Sequence, residues 1–208
     1  MRENHSLEPE DLMVAARLSH DALTPVADHD WNIPAYELEW SCRHTAGHIS
    51  RALLSYSIHL ANRARARLPY ASSDDPQLSI TQLIAVVRAM TGVLLEVVKA
   101  APAGVRAWHP WGMADVSGFI AMGCSEILIH TSDITQAFNA AFDPPDDLCE
   151  RVARRLFPWA PGNVDGWPAL RWGNGRVALP GHERLGPDWG WHCAPLNEWD
   201  GTIEKEST

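Results

Sequence analysis

Lysine is almost missing from this 208-residue chain: among its 17 basic residues, two Lys stand beside fifteen Arg, against 26 acidic residues. The formal net charge of −9 disfavours a non-specific grip on nucleic acid or on an anionic membrane, since both need an excess of positive charge. No apolar run reaches the roughly 18 residues that a bilayer-spanning helix requires. No two cysteines are spaced as CxxC; Cys42, Cys124, Cys149 and Cys193 lie far apart. That excludes a zinc ribbon and a disulfide framework and leaves free thiols in a reducing compartment. The first residues, MRENHSLEPEDL, are polar and acidic and do not read as a secretory signal, so a cytoplasmic protein is expected. Internal repeats and low-complexity tracts are also lacking. Tyr and Phe are scarce, 3 and 4, whereas Trp reaches 10. With 46% apolar and 21% charged residues the chain is an ordinary globular one. Its length suits one large domain, or a domain with a small appendage.

Helical spacing dominates the first 142 residues. Leu12, Ala15, Ala16, Leu18, Leu23 and Val26 recur at helical intervals from Glu8 to about Ala27, with Pro25 predicting a kink or an early end. Residues 28–40, which hold Trp31, Pro34 and Trp40, read as an ordered connection. Ser41 is a fitting N-cap for a second helix to about Leu68, broken by Pro69 and the SSDDP segment. Ser79 caps a strongly apolar third helix that ends before Pro102. A loop rich in Pro, Gly and Trp follows, and Asp115 caps a fourth helix predicted to run to about Phe142. Four long helices imply a helical bundle. Beyond it, residues 146–157 predict a short helix, ALRWGNGRVALP a β-hairpin around Gly173, Asn174 and Gly175, and WGWHC a third strand. The tail from Gly201 is polar and reads as loose.

The fourth helix carries chemistry that a plain core does not need. Glu126 and His130 are four apart, so they share a face, with Phe119, Met122 and Asp133 on the same side. A carboxylate in so apolar a helix is expected to be buried, and it then needs a partner or a proton. A metal ion accepts both a carboxylate and an imidazole. The same pattern fits an Arg-paired Glu126 with a hydrogen-bonded core histidine at 130. On the second helix, His44, His48, Arg51, Ser55 and His59 form one stripe flanked by apolar residues. His48 is a candidate third ligand. His44 reads as solvent-facing but stays open as an alternative, and His59 reads as an outer-face residue. Two His and one Glu leave coordination positions open, the pattern of a catalytic metal site. Asp133 can orient a ligand imidazole.

These residues resemble a known family. The stretch LEWSCRHTAGHISRALL, with Trp40, Ser41 and His48, is similar to the start of the second helix in the mycothiol-dependent maleylpyruvate isomerase family of the DinB/YfiT-like superfamily. SEILIHTSDITQAF resembles that family's fourth-helix motif, Glu-x-x-x-His-x-x-Asp. The resemblance covers about residues 8–142. It implies a mainly α fold: a DinB-like four-helix bundle over residues 1–145, binding a divalent metal, usually zinc. Residues 146–208 would then form a short Trp-rich α+β region with the hairpin, an abbreviated version of the family's second domain. The ligands it implies are His48, Glu126 and His130.

The activity implied is that of a mycothiol-dependent transferase or isomerase: the metal activates a thiolate, which attacks a small electrophilic substrate. Relatives that bind a metal water act as hydrolases, and a non-catalytic metal-binding member is a further alternative. Arg51, His109 and Asp133 are candidate helpers. Arg51, Trp108, Trp111, Arg171 and Arg176 are candidates for holding the cofactor or an anionic substrate. Cys42 and Cys124 read as small buried residues. The expected partners are a small-molecule substrate and a low-molecular-weight thiol, not nucleic acid or membrane. Bundles of this kind often pair, so a homodimer is an open expectation.

Overall fold

The computed structural model describes residues 6–69 and 77–202. The SSDDP break and the end of the polar tail lie outside them. The described residues form a mainly helical protein with one small two-stranded antiparallel sheet. The elements are α1 (Pro9–Leu23), α2 (Cys42–Ala61), α3 (Ile80–Ala100), β1 (Ala107–His109), β2 (Gly112–Ala114), α4 (Val116–Ala137), α5 (Asp146–Leu156) and α6 (Gly166–Gly173). No helix among the described residues is long and apolar enough to cross a membrane.

All three predicted N-caps form. Ser41 Oγ accepts from the His44 N–H (3.1 Å), Ser79 Oγ from the Gln82 N–H (3.2 Å) and Asp115 Oδ1 from the Gly118 N–H (2.8 Å). Each bond satisfies one of the amides that a helix start leaves without an internal partner. At Pro25 the first helix passes into a short 3-10 turn, Thr24–Val26. The connection after it is ordered, as predicted: Trp31 is buried and its indole N–H donates to the Val26 carbonyl at 2.9 Å.

Helix ends are less legible. α2 stops at Ala61 and not near Leu68; α4 stops at Ala137 and not near Phe142. The cause is one motif used twice. Arg63 (φ 48°) and Asn139 (φ 53°) adopt the left-handed conformation. The amides of the residues that follow, Ala64 and Ala140, reach back to the carbonyls of His59 and Thr135. That closure ends a helix without Gly or Pro.

The predicted C-terminal hairpin is wrong for a related reason. Residues 166–173 are helix α6, and Gly175 (φ 67°) is its left-handed cap, with Gly175 N–H donating to Trp172 and Arg176 N–H to Arg171. A Gly-Asn-Gly run suits a hairpin turn and a helix C-cap equally, since both need positive φ. Only an isolated bridge, Leu179 with His182, follows it. WGWHC is not a strand either; the amide of His192 simply bonds the Leu156 carbonyl. Among the described residues the one hairpin of paired strands is β1–β2, inside the loop rich in Pro, Gly and Trp, with Trp108 opposite Met113 and His109 opposite Gly112.

α1 and α2 each pack on both α3 and α4. The four meet at Gly123, where a Cβ would come within 2.7 Å of Leu12, 3.0 Å of Leu94 and 3.4 Å of Leu53, one leucine from each neighbour. Burying each leucine is worth about 1.5–3 kcal/mol, so this junction is a main source of cohesion. α4 is buried on nearly all sides, the face that carries Glu126 and Asp133 included. α5 presents Leu148, Cys149, Val152, Ala153 and Leu156 inward at helical spacing. α6 starts hard against it: a Cβ on Gly166 would lie 2.2 Å from the Glu150 amide nitrogen. The larger apolar core runs from α1–α4 through both strands to α5, α6, Trp191 and Cys193, and a second, smaller one gathers Leu23, Val26, Trp31, Cys42, Ile84 and Ile134 around the ordered connection.

Candidate functional site

The capped start of α2 points His48 toward the middle of α4, and the packing of those two helices brings three side chains together. His48 Nε2 lies 3.2 Å from Glu126 Oε2, and His130 Nε2 lies 3.3 Å from the same oxygen. One ligand atom from each residue falls within 4.8 Å of the others. Metal bonds of about 2.0–2.1 Å in a tetrahedron set neighbouring ligand atoms about 3.3 Å apart, so the donor set fits a divalent cation.

The surroundings make the same point through hydrogen bonding. Asp133 Oδ2 lies 3.0 Å from His130 Nδ1. With that nitrogen donating, a neutral ring turns the Nε2 lone pair on the Glu126 carboxylate. The contact holds only if a cation sits between them, either a second ring proton or a metal. Burial alone would lower the His130 pKa, but its bonds to Asp133 and Glu126 outweigh that and raise it to about 9. Burial opposes ionisation of Glu126, yet bonds from His130 and His48 hold it well below the usual carboxylate range. Asp133 is fully buried and is likewise lowered, its desolvation outweighed by bonds from His130 and Arg176.

Arg176 is the C-terminal contribution. Its Nε and Nη2 bond Asp133 Oδ1 and Oδ2 at 3.1 and 2.8 Å, a two-pronged grip aimed by the cap that ends α6. This side chain orients a carboxylate that in turn orients His130. Arg176→Ala is therefore expected to weaken zinc affinity about tenfold, as loss of a group behind a metal ligand does. Arg171→Ala should leave it unchanged. Competition titration against a chelator distinguishes them; equal affinities for all three proteins would remove Arg176 from the site.

The three residues open onto a cavity of about 830 Å³. Of the sequence candidates, Arg51, Trp108, His109, Trp111 and Arg176 line it, but Arg171 does not. Arg171 lies over the Trp167 ring (5.8 Å) and reaches Gln136. His44 is exposed, within 3.2 Å of Arg51 and against Trp40, away from the triad. His59 is not on an outer face: it is buried, its Nδ1 within 2.7 Å of the Ser55 carbonyl and its Nε2 accepting the Leu68 N–H at 3.1 Å. The chain leaving α2 folds back to the last residue of that stripe and covers it.

Sequence reasoning passed over several cavity residues. Tyr56, assigned to an apolar stripe, donates its hydroxyl to Glu126 Oε1 at 2.9 Å. The available signal was its place two turns after His48. Trp40 packs on His48 at 4.8 Å and closes the outer side. Trp189 and Trp191 stack edge-on against Trp111, at 5.7 and 4.7 Å. Asn174 donates to Ser125 Oγ (3.2 Å) at the buried end. No local pattern announces these last contacts, because each joins residues far apart in sequence.

His109 sits on β1 beside Tyr56, Trp111 and Trp191, with 8% exposure. Burial lowers its pKa to about 4, Glu126 pulling the other way and His59 adding to the fall. The unfolded chain, near 6.5, takes up a proton that the folded chain refuses. Stability is therefore whole above pH 6.5 and declines as pH falls toward 4, by about 3 kcal/mol from this ring. Urea unfolding across that window should show a shallower decline in His109→Gln than in the parent; parallel declines would contradict it.

All four cysteines are free and buried. Desolvation pushes Cys42 to about 11 and raises Cys124 and Cys149 as well.

Comparison with family models gives a match over residues 12–135 to the model described as the mycothiol maleylpyruvate isomerase N-terminal domain. The curated proteins and the solved structures gave no match.

Proposed function

Because the chain belongs to the mycothiol maleylpyruvate isomerase N-terminal domain family, we propose that it is a metal-dependent transferase or isomerase that joins a low-molecular-weight thiol, mycothiol, to a small electrophilic substrate. One observation carries this reading: His48, Glu126 and His130 converge within 4.8 Å at the edge of a cavity large enough for both reactants. Three protein ligands leave coordination positions open, and we assign zinc to them. A divalent cation there lowers the pKa of a thiol, so that it is a thiolate at neutral pH.

The chain's own residues account for the rest. Asp133 and Arg176 hold His130 in one orientation, and the Tyr56 hydroxyl fixes the far oxygen of Glu126. Trp111, Trp189 and Trp191 give the cavity an aromatic wall. A thiol from outside is needed because all four cysteines are buried, three of them with raised pKa values. In this reading α1–α4 are the family's four-helix bundle, residues 1–145 are the metal-binding unit, and residues 146–208 are a short Trp-rich C-terminal region that follows it. The same reading places the protein in the cytoplasm.

Metal analysis of the purified protein should give about one equivalent per chain. Incubation with monobromobimane should yield the thiol conjugate in the presence of mycothiol, at a rate that falls to background once the metal is chelated. Protein without metal, or a conjugation rate indifferent to the protein, would defeat the reading. Ester or amide hydrolysis without any thiol would favour a metal-water hydrolase.

A further inference from the structure

The two oxygens of Glu126 face different company. Oε2 is the shared focus of the triad, with His48 Nε2 at 3.2 Å and His130 Nε2 at 3.3 Å. Oε1 accepts the Tyr56 hydroxyl at 2.9 Å. An ionised carboxylate can only accept, so the phenol is the donor. Glu126 is 9% exposed and Tyr56 6%, so little water competes for that bond, and a bond to a charged acceptor is of the stronger kind. Packing holds the phenol in place. Its ring lies against His109 of β1 (5.7 Å) and Phe119 of α4 (5.9 Å), and Phe119 is fully buried. For Oε1 to turn toward the point where Oε2 meets the two imidazoles, the carboxylate must rotate and break the bond to Tyr56. That is costly in a buried setting.

We propose that Tyr56 is a positioning residue that makes Glu126 a one-oxygen ligand: the hydroxyl keeps Oε1 off the cation, and Oε2 alone joins His48 and His130. The inference rests on the metal-dependent reading above and deepens it. Carboxylates bind cations through one oxygen or through both, and the second oxygen occupies a further coordination position. Held to one oxygen, Glu126 leaves that position to a ligand that enters from the cavity, such as a thiol. Asp133 and Arg176 do for His130 what Tyr56 does for Glu126. The two ligands of α4 are thus oriented by separate partners, one from the C-terminal region and one from α2.

Infrared difference spectra, zinc-loaded minus metal-free, read the carboxylate directly, and glutamate labelled with ¹³C at its carboxyl separates Glu126 from Asp133. The gap between the asymmetric and symmetric carboxylate stretches widens beyond its metal-free value when one oxygen binds and narrows below it when both do. The parent protein should show the wide gap and Tyr56→Phe the narrow one. Arg176→Ala, which acts through His130, should keep the wide gap although its affinity falls. In cobalt-loaded protein, 2-mercaptoethanol should raise a sulfur-to-metal absorption band, and Tyr56→Phe should need about tenfold more thiol to reach it. A narrow gap in the parent overturns the proposal whether or not the variant folds. So does a wide gap that survives in Tyr56→Phe, a gap that narrows equally in Arg176→Ala, or an unchanged demand for thiol. A parent without zinc-dependent bands ends the metal reading and the proposal with it. A parent with the wide gap but no thiol band ends only the thiol half of that reading, and the two infrared patterns still support the assignment of Tyr56.

Discussion

Replacing His130 with alanine is expected to lower zinc affinity by about 10²–10³-fold. Structural zinc sites with four ligands are worth about 10–16 kcal/mol, or roughly 3 kcal/mol per ligand, and each 1.4 kcal/mol is tenfold. The loss goes beyond one bond. Without the imidazole, Glu126 keeps His48 and Tyr56, while Asp133 keeps only Arg176. Two buried carboxylates then share less positive charge, which costs stability in the metal-free protein. His48→Ala separates metal loss from misfolding, since His48 is partly exposed (28%) and its removal disturbs the core less. Chelator competition should place both variants far below the parent, with His44→Ala indistinguishable from it. Parent-like affinity in either triad variant would remove the metal centre, and the enzymatic reading with it.

Arg155→Ala is expected to destabilise the fold by about 3–5 kcal/mol, the scale for stripping one partner from a buried charge cluster. Arg155 is 6% exposed. It joins Asp115 Oδ1 (2.6 Å), Ser117 Oγ (3.2 Å) and the carbonyls of His192 (3.1 Å) and Cys193 (3.0 Å). Asp115 is also the N-cap of α4. A single guanidinium thus fastens the segment bearing Trp189 and Trp191 to the start of the helix that carries Glu126 and His130. A Cβ on Gly118 would lie 2.4 Å from the Cys193 carbonyl, so that segment rests directly on the first turn of α4. Urea unfolding should report the loss of stability, and acrylamide quenching should report newly accessible tryptophans at low denaturant. Arg155→Lys should recover only part, because an ammonium lacks the planar fork that serves four acceptors. A change under 1 kcal/mol with unaltered quenching would refute the clamp.

The two variants probe parts of the molecule that differed in how openly the chain displays them. Ser41, Ser79 and Asp115 stand immediately before apolar helical runs, and each does cap its helix, because capping is settled within four residues. The Glu126–His130 spacing and the stripe from His48 to His59 are equally local, and a helix converts such intervals into faces whatever surrounds it. The right end of α2 or α4 is harder to read, since Arg63 and Asn139 close those helices in a conformation that side chains of their type only sometimes adopt. The Gly-Asn-Gly run was misread because cap and hairpin share one backbone requirement, and the choice between them lies in what packs behind: a Cβ on Gly173 would fall 2.4 Å from the Phe157 ring.

Spacing and residue type along the chain were therefore enough to determine a mainly helical protein and the starts of its long helices, and to mark Glu126 and His130 with a histidine of α2 as candidate donors, His44 or His48 being left open until the three-dimensional grouping singled out His48. Tertiary structure alone decided that His59 is covered, that Arg176 serves Asp133 while Arg171 does not reach the cavity, and that Tyr56, Asn174 and three tryptophans complete the walls. The reason is range. Helix faces and caps follow from dihedral angles and bonds within a few residues, whereas most of the wall contacts, Tyr56 with Glu126 and Trp111 with Trp189 and Trp191 among them, join side chains separated by tens of residues, whose meeting depends on how whole helices pack and where the chain between them turns.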